Sequence, residues 1–369
     1  MTSVDYLKRF DFHALYEQSL TVKPETVIQT LKQSTFSLSD LPTLISPAAS
    51  QFIESLAQRS YQITRQRFGN MMQLFVPLYL SNECYNHCTY CNFSIHLDYP
   101  RKTLTDDEII ENGKLLKSKG FNHILLLTGE APKTVDVNYI GHAIKLLSPL
   151  FSSIGVEIQP LKQSEYEYLI KQGCDSLTVY QETYEPDIYK QYHLTGKKRL
   201  FENRLYTPEE GAKAGFFKIN LGALLGLYDW RFEALNLGYH LSYLHKHYWK
   251  VKYGISFPRI TETISSFSTL YPVKDIDIVQ IICAFRLLFN DLSITLSTRE
   301  HPSFRNHVMP LGVTHLSAES NTSPGGYCGT NEQDQFQIHD SRSVHDISKQ
   351  LHSIGLDPVV KDWDQAFIR

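Results

Sequence analysis

From about residue 73 onward, short apolar, β-branched runs alternate with longer segments whose apolar residues recur at helical spacing. The runs are LFVPLYL (74–80), HILLLTG (123–129), GVEIQPL (155–161), SLTVYQET (176–183), KINLGALLG (218–226), YGISFPR (253–259), LSITLSTRE (292–300) and VTHLSAES (313–320). Between them, Ile109, Gly113 and Leu116 fall on one helical face, and so do Ile140, Ala143, Ile144 and Leu147. Thr105-x-x-Glu108, Ser164-x-x-Glu167 and Thr207-Pro208-x-Glu210 read as capping boxes that open helices. Gly120, Gly173 and Gly215 close helices just ahead of the next run. Strand–helix alternation of this kind demands parallel pairing, and eight units suffice to close a (β/α)8 barrel. The predicted class is therefore α/β, a TIM-type barrel, with an open doubly wound sheet as the competing architecture.

The flanks have a different texture. Residues 1–70 are polar and helical with no strand pattern, and Pro47 to Gly69 reads as one amphipathic helix. After Ser320 the chain is loop-like, then forms a short helix ending near Gly355. The expected organisation is an N-terminal helical extension (1–70), a barrel (71–320) and a C-terminal loop and helix tail (321–369) packing on the barrel.

Polar residues gather where each apolar run stops: Ser81-Asn82, Thr128-Gly129-Glu130, Gln159, Gln181-Glu182-Thr183, Tyr228-Asp229, Arg259, Thr298-Arg299-Glu300 and Ser317-Ala318-Glu319-Ser320. Those are the C-terminal strand ends, where barrel enzymes build their sites. A net charge of −3 argues against a nucleic-acid partner. The chain begins without an apolar leader and its apolar runs are too short to span a bilayer, so a cytoplasmic protein without membrane attachment is expected. The run Lys197-Lys198-Arg199 reads as a solvated face, and the three histidines of HLSYLHKHYWK (240–250) as a helix end.

One segment carries the chemistry. CYNHCTYCNFS places Cys84, Cys88 and Cys91 in the loop after the first strand, three of six cysteines in a single stretch. Structural zinc wants four tetrahedral ligands, and a second Cys or His pair is missing unless His87 or His96 is conscripted. Three thiolates suit a cluster of four irons, with one iron left open to an outside ligand.

The Cys-x3-Cys-x2-Cys spacing, with an aromatic before the last cysteine, resembles the radical S-adenosylmethionine (SAM) superfamily. TGE at 128–130 is similar to the segment that holds the SAM amino group there. PLYLSNECYNHCTYCNFS, VYQETY, ISFPR, STRE, SPGGY and QFQIHDSRSV…DWD together resemble the aromatic amino-acid lyase branch from about residue 70 onward. Among its members the likeness is closest to the ThiH-type tyrosine lyases of thiamine biosynthesis. The hydrogenase-maturation tyrosine lyases carry three further cysteines in a C-terminal extension, which this chain does not show, and are disfavoured. The tryptophan lyases share the motif set and stay in competition, as does a non-catalytic zinc scaffold.

The resemblance implies a 4Fe–4S cluster on Cys84, Cys88 and Cys91, with S-adenosyl-L-methionine bound near Thr128, Gly129, Glu130, Glu157, Gln159 and Glu182. It implies cleavage of SAM to methionine and a 5′-deoxyadenosyl radical, which takes a hydrogen from the amino group of L-tyrosine. Cα–Cβ scission then yields 2-iminoacetate and p-cresol. For the substrate carboxylate Arg299 is the first choice and Arg259 the second, because a guanidinium binds a carboxylate bidentately. Tyr79 and Ser317 are expected to touch substrate, and loops with the N-terminal helices to roof the site. Expected partners are the thiazole synthase ThiG and an electron donor such as flavodoxin or ferredoxin.

Overall fold

The computed structural model describes residues 1–260, 267–329 and 332–360. Eight parallel strands close on themselves: β1 (Met71–Ser81), β2 (His123–Thr128), β3 (Ser153–Glu157), β4 (Ser176–Glu182), β5 (Lys218–Ala223), β6 (Lys252–Ser256), β7 (Ser293–Leu296) and β8 (His315–Ser317). Each pairs with the next, from Val76 opposite Ile124 through Leu316 opposite Leu296, and closure comes where Gln73, Leu74 and Phe75 of β1 meet His315, Leu316 and Ser317 of β8. All eight expected strands are present, and the barrel replaces the open-sheet alternative.

The period of two along a strand explains the two environments. Leu74, Val76, Leu78 and Leu80 are buried in the layer between barrel and helices, whereas Phe75, Pro77 and Tyr79 face the barrel interior. Leu126 and Leu127 split in the same way on β2. The helix faces read from sequence supply the other side of that layer, since Ile109, Leu116, Ile140, Ala143, Ile144 and Leu147 are all buried.

The helix starts follow the sequence punctuation only in part. The Thr105–Glu108 capping box opens helix Asp106–Ser118 as expected. The helix after β3 instead begins at Gln163, with the Glu165 carboxylate accepting from the Lys162 N–H, while Glu167 takes up Gln163 one turn on. Thr207 and Pro208 lie inside helix Phe201–Ala214, which starts at Phe201 without a side-chain cap. There the Thr207 hydroxyl bonds back to the Asn203 carbonyl, and Glu210 accepts from the Gln163 backbone of the neighbouring helix. Ser or Thr three residues before Glu is compatible with a helix interior, so the pattern alone does not fix a start. The segment read as one helix from Pro47 divides into a 3₁₀ turn, Ala49–Phe52, and a helix, Ile53–Phe68.

The N-terminal helices pack against the outer barrel helices Trp230–His247 and Asp275–Leu288 rather than over the mouth. No residue before Phe75 lines the interior cavity, but Val4, Leu7, Phe10 and His13 border an adjoining opening together with Asn86 and Glu130, and the tail covers the interior cavity itself. Asp340 accepts from both Arg305 and Arg342, and the His339 and Asp340 amides donate to the Thr298 carbonyl. That clamp lays Gln335 and Phe336 across the opening. The tail then forms helix Val344–Ser353 and a short strand β9 (Asp357–Val359) parallel to the start of β1. β9 escaped the sequence reading because it is three residues long and contains Pro358. The DWD segment at 362–364 lies outside the described residues.

Candidate active site

Every expected site residue except Arg259 and Gln159 lines one cavity at the C-terminal end of the barrel. Cys84, Cys88 and Cys91 form one wall, in the loop after β1. A two-residue strand, His87–Cys88, pairs antiparallel with His193–Thr195 and fixes that loop from outside. The end of β2 fixes it from within: the Tyr85 amide donates to the Glu130 carbonyl and the Gly129 amide to the Ser81 carbonyl. The approach is so close that a Cβ on Gly129 would sit 2.1 Å from the Glu83 carbonyl oxygen. The glycine of TGE is thus required by backbone packing, whatever the loop goes on to bind.

Burial pushes all three thiols upward, Cys91 to about 11. The Cys84 sulfur sits 3.8 Å from the Asn86 amide nitrogen and the Cys91 sulfur accepts from the Phe93 N–H at 3.4 Å. Buried sulfurs of this kind ionise against a cation, which iron supplies.

A charge network joins the loop to β4. Arg204 reaches in from helix Phe201–Ala214 to bond Glu130 at 2.7 Å, and Asn86 occupies the other Glu130 oxygen at 2.8 Å. Lys198 bonds Glu182 at 2.7 Å, and Arg204 stands 3.6 Å from the same carboxylate. Burial works against the charge on Lys198, but Glu182 outweighs it and holds the ammonium above its ordinary range. The Lys197–Arg199 run is therefore not a uniform solvated face: the Lys198 side chain is only 15% exposed and points into the cavity. Sequence missed it because a run of like charges hides which member turns inward.

Glu182 itself has φ of +72°, a left-handed conformation that a non-glycine residue holds only when its surroundings impose it. Those surroundings are visible. The Leu224 amide donates to its carbonyl, its carboxylate is paired, and buried Glu233 ties down the next two residues through the Thr183 hydroxyl and Tyr184 amide. Arg204→Met would leave Glu130 without its cation and Glu182 with Lys198 alone. Breaking a buried pair in this way costs roughly 3–5 kcal/mol. Thermal unfolding should show a clear drop in Tm, and an unchanged Tm would show that the network contributes nothing.

The opposite wall belongs to β7, β8 and the tail. Arg299 stacks its guanidinium 3.4 Å above the Phe336 ring and, among the described residues, makes no side-chain hydrogen bond or ion pair. Burial lowers its affinity for a proton, against the pull of Tyr79 and Glu182. Tyr79 donates to Gln335 at 2.7 Å, and the Ser317 hydroxyl accepts from the Thr298 amide. Tyr180 lies across the interior, in space that Gly222 leaves open, since a Cβ there would meet its ring at 2.4 Å.

Two expectations are corrected. Arg259 is saturated elsewhere, by Glu300 on both nitrogens, Asp275 and the Val273 carbonyl, and does not line the cavity. It is a structural ion pair. Gln159 lies beyond the end of β3, so it does not share a strand face with Glu157; its amide donates to the Val135 carbonyl, and it borders a neighbouring opening with Asn86 and Glu130. The signals missed in sequence are Asn86, Lys198, Arg204, Gln335 and Phe336, whose positions depend on loops and a helix that periodicity does not place, and Tyr180, which lies on β4 with its ring turned into the cavity.

The family model for the radical SAM superfamily matches residues 78–236, and that for the biotin and thiamin synthesis associated domain matches 256–357. The 2-iminoacetate synthases of Salmonella typhimurium and Escherichia coli are each 44% identical over 340 residues, spanning 92% of this chain and 90% of theirs. The chain belongs to the 2-iminoacetate synthase family. The crystal structure of the FeFe-hydrogenase maturase HydG from Carboxydothermus hydrogenoformans superposes with a TM-score of 0.90 at 30% identity, covering 98% of this chain and 86% of that one. No helix among the described residues is long and apolar enough to cross a membrane.

As a radical SAM 2-iminoacetate synthase family member, the chain uses a 4Fe–4S cluster and SAM. The residues present fit that pair. Three thiols share one cavity wall, the number of protein ligands that leaves one iron of a four-iron cluster open. Beside them the buried Thr128 hydroxyl has no hydrogen-bond partner, as expected of a group reserved for a ligand.

Proposed function

We propose that the protein is a radical SAM tyrosine lyase. It cleaves the Cα–Cβ bond of L-tyrosine to 2-iminoacetate and p-cresol, with methionine and 5′-deoxyadenosine from SAM, to feed the thiazole of thiamine. The observation that carries this reading is a single cavity with three thiols on one wall and an unpaired guanidinium, Arg299, on the other.

When bound, the cluster and SAM supply a 5′-deoxyadenosyl radical. The chain supplies position and exclusion. Cys84, Cys88 and Cys91 would hold the cluster. The Thr128–Glu130 edge, with carbonyls and a carboxylate, suits the SAM ammonium, because each Glu130 oxygen carries one donor and has a lone pair to spare. Lys198 offers a cation for the SAM carboxylate, and Glu182 beside it an acceptor for hydroxyls. Arg299 takes the substrate carboxylate, while Tyr79 and Ser317 border the same space. Gln335, Phe336 and Thr322 roof the cavity, which keeps water and stray hydrogen donors from a reactive alkyl species. The imine product is hydrolysable, so prompt transfer to the thiazole synthase ThiG is favoured, and flavodoxin or ferredoxin would supply the electron.

The test is anaerobic reconstitution with iron and sulfide, then SAM, reductant and either tyrosine or tryptophan, with products followed by mass spectrometry. Deoxyadenosine and p-cresol from tyrosine are expected. Deoxyadenosine with tryptophan alone would move the protein to the tryptophan branch, and stoichiometric zinc with no SAM cleavage would end the radical reading.

A further inference from the structure

Among the described residues, six charged side chains line the cavity. Three are acidic (Glu130, Glu157, Glu182) and three basic (Lys198, Arg204, Arg299). Four are consumed by one another: Arg204 with Glu130, and Lys198 and Arg204 with Glu182. One of each sign remains. Among the described residues neither Glu157 nor Arg299 makes an ion pair or side-chain hydrogen bond, and they stand too far apart to pair with each other, although each feels the other's charge. A leftover carboxylate and a leftover guanidinium in one enclosure complement a ligand bearing an ammonium and a carboxylate together, which is an α-amino acid.

Their placement adds a second constraint. Glu157 ends β3, between the cysteine loop with its Lys198–Glu182–Arg204 network and the wall that carries Arg299, and it senses charges from both sides. The atom that reacts must lie at that same junction, where substrate held by Arg299 meets the species generated over the cysteines.

We propose that Glu157 contacts the substrate α-amino group and is the base that takes its proton, rather than a contact to SAM. One N–H bond of the ammonium breaks heterolytically, and its proton passes to a Glu157 carboxylate oxygen. A neutral amine and a neutral carboxylic acid result, and no electron moves. The amine then offers an N–H for homolysis without the penalty of a positive nitrogen. The surroundings support this role. Burial and then Glu182 raise the Glu157 carboxyl to about 7, against Arg204, Lys198 and Arg299, with the Tyr79 and Tyr180 phenols also facing it. A carboxyl so poised exchanges a proton near neutrality.

The proposal rests on the lyase reading for the identity of the amino acid, not for its class. The experiment is binding without turnover, using holoenzyme reconstituted with cluster and SAM but left unreduced. Calorimetry in two buffers of different ionisation heat reports affinity and proton release together. In wild type, tyrosine should bind about tenfold more weakly for each pH unit below the Glu157 titration, releasing a proton, because the free carboxyl must ionise to meet the ammonium. Glu157→Gln should abolish that slope and weaken tyrosine by about ten- to a hundredfold, while 3-(4-hydroxyphenyl)propanoate, which lacks the amine, binds both proteins alike. Glu157→Asp, a second variant should the first fail to fold, should keep the slope with its midpoint displaced. A wild-type slope in Glu157→Gln, or lost SAM affinity with tyrosine untouched, overturns the assignment. Binding of tryptophan but not tyrosine would refute the substrate reading alone, and the same titration would then be run with tryptophan.

Discussion

Replacing Cys84, Cys88 or Cys91 singly by alanine is expected to abolish 5′-deoxyadenosine formation, a loss of about a thousandfold or more, since the radical step has no alternative source of chemistry. Iron content should fall with it, and the broad absorption near 400 nm should vanish. The fold should survive. The loop is held by groups other than sulfur: the ribbon with 193–195, the Tyr85 amide on Glu130, and the Arg101 guanidinium, which bonds the Asn82, Phe93 and Ser94 carbonyls. Circular dichroism should therefore match wild type while activity disappears. A variant that keeps full deoxyadenosine output would remove the cluster from the mechanism, and one that unfolds would make the cysteines a structural site.

What sequence made legible follows from which interactions are local. Strand faces and helix faces depend on periods of two and 3.6, so all eight barrel strands and both buried helix faces were visible in the pattern. The three cysteines were visible because one loop carries them all, and TGE was visible only through its resemblance to the radical SAM superfamily. Tertiary charge pairing was not. Arg204 lies six residues beyond Lys198, and nothing in that spacing reveals that both turn toward Glu182, one from a helix and one from the turn before it. Arg259 shows the converse failure. Like Arg299 it follows the end of a barrel strand, and the bidentate contact to Glu300, forty-one residues later, holds it away from the site. The tail motif was recognisable as a motif, but its work, clamping Asp340 between Arg305 and Arg342 so that Phe336 covers the opening, depends on the contact to Arg305, thirty-five residues earlier.

The two arginines give the sharpest contrast in expected outcomes. Arg299→Gln should raise the Kd for tyrosine by two to three orders of magnitude, because losing one partner of a desolvated, hydrogen-bonded charge pair costs roughly 2–5 kcal/mol. Arg299→Lys should recover only part of that, since a point charge cannot reproduce two parallel N–H donors. Tyramine, which has no carboxylate, should bind wild type and variant equally, separating recognition of the carboxylate from general damage. The free protein should not suffer. Its guanidinium is desolvated, with the Phe336 ring against it, only the more distant pull of groups such as Tyr79 and Glu182, and no hydrogen-bonded or ion-paired partner among the described residues, so removal should leave Tm unchanged or raise it, as expected where a site stores unfavourable burial for its ligand. Arg259→Gln should behave in the opposite way. It strands Glu300, which is nearly inaccessible, and should cost roughly 3–5 kcal/mol of stability. Any loss of tyrosine affinity there should be minor beside that of Arg299→Gln. Reversal of the pattern, with Arg259 governing affinity and Arg299 governing Tm, would move the substrate carboxylate out of the cavity that holds the thiols.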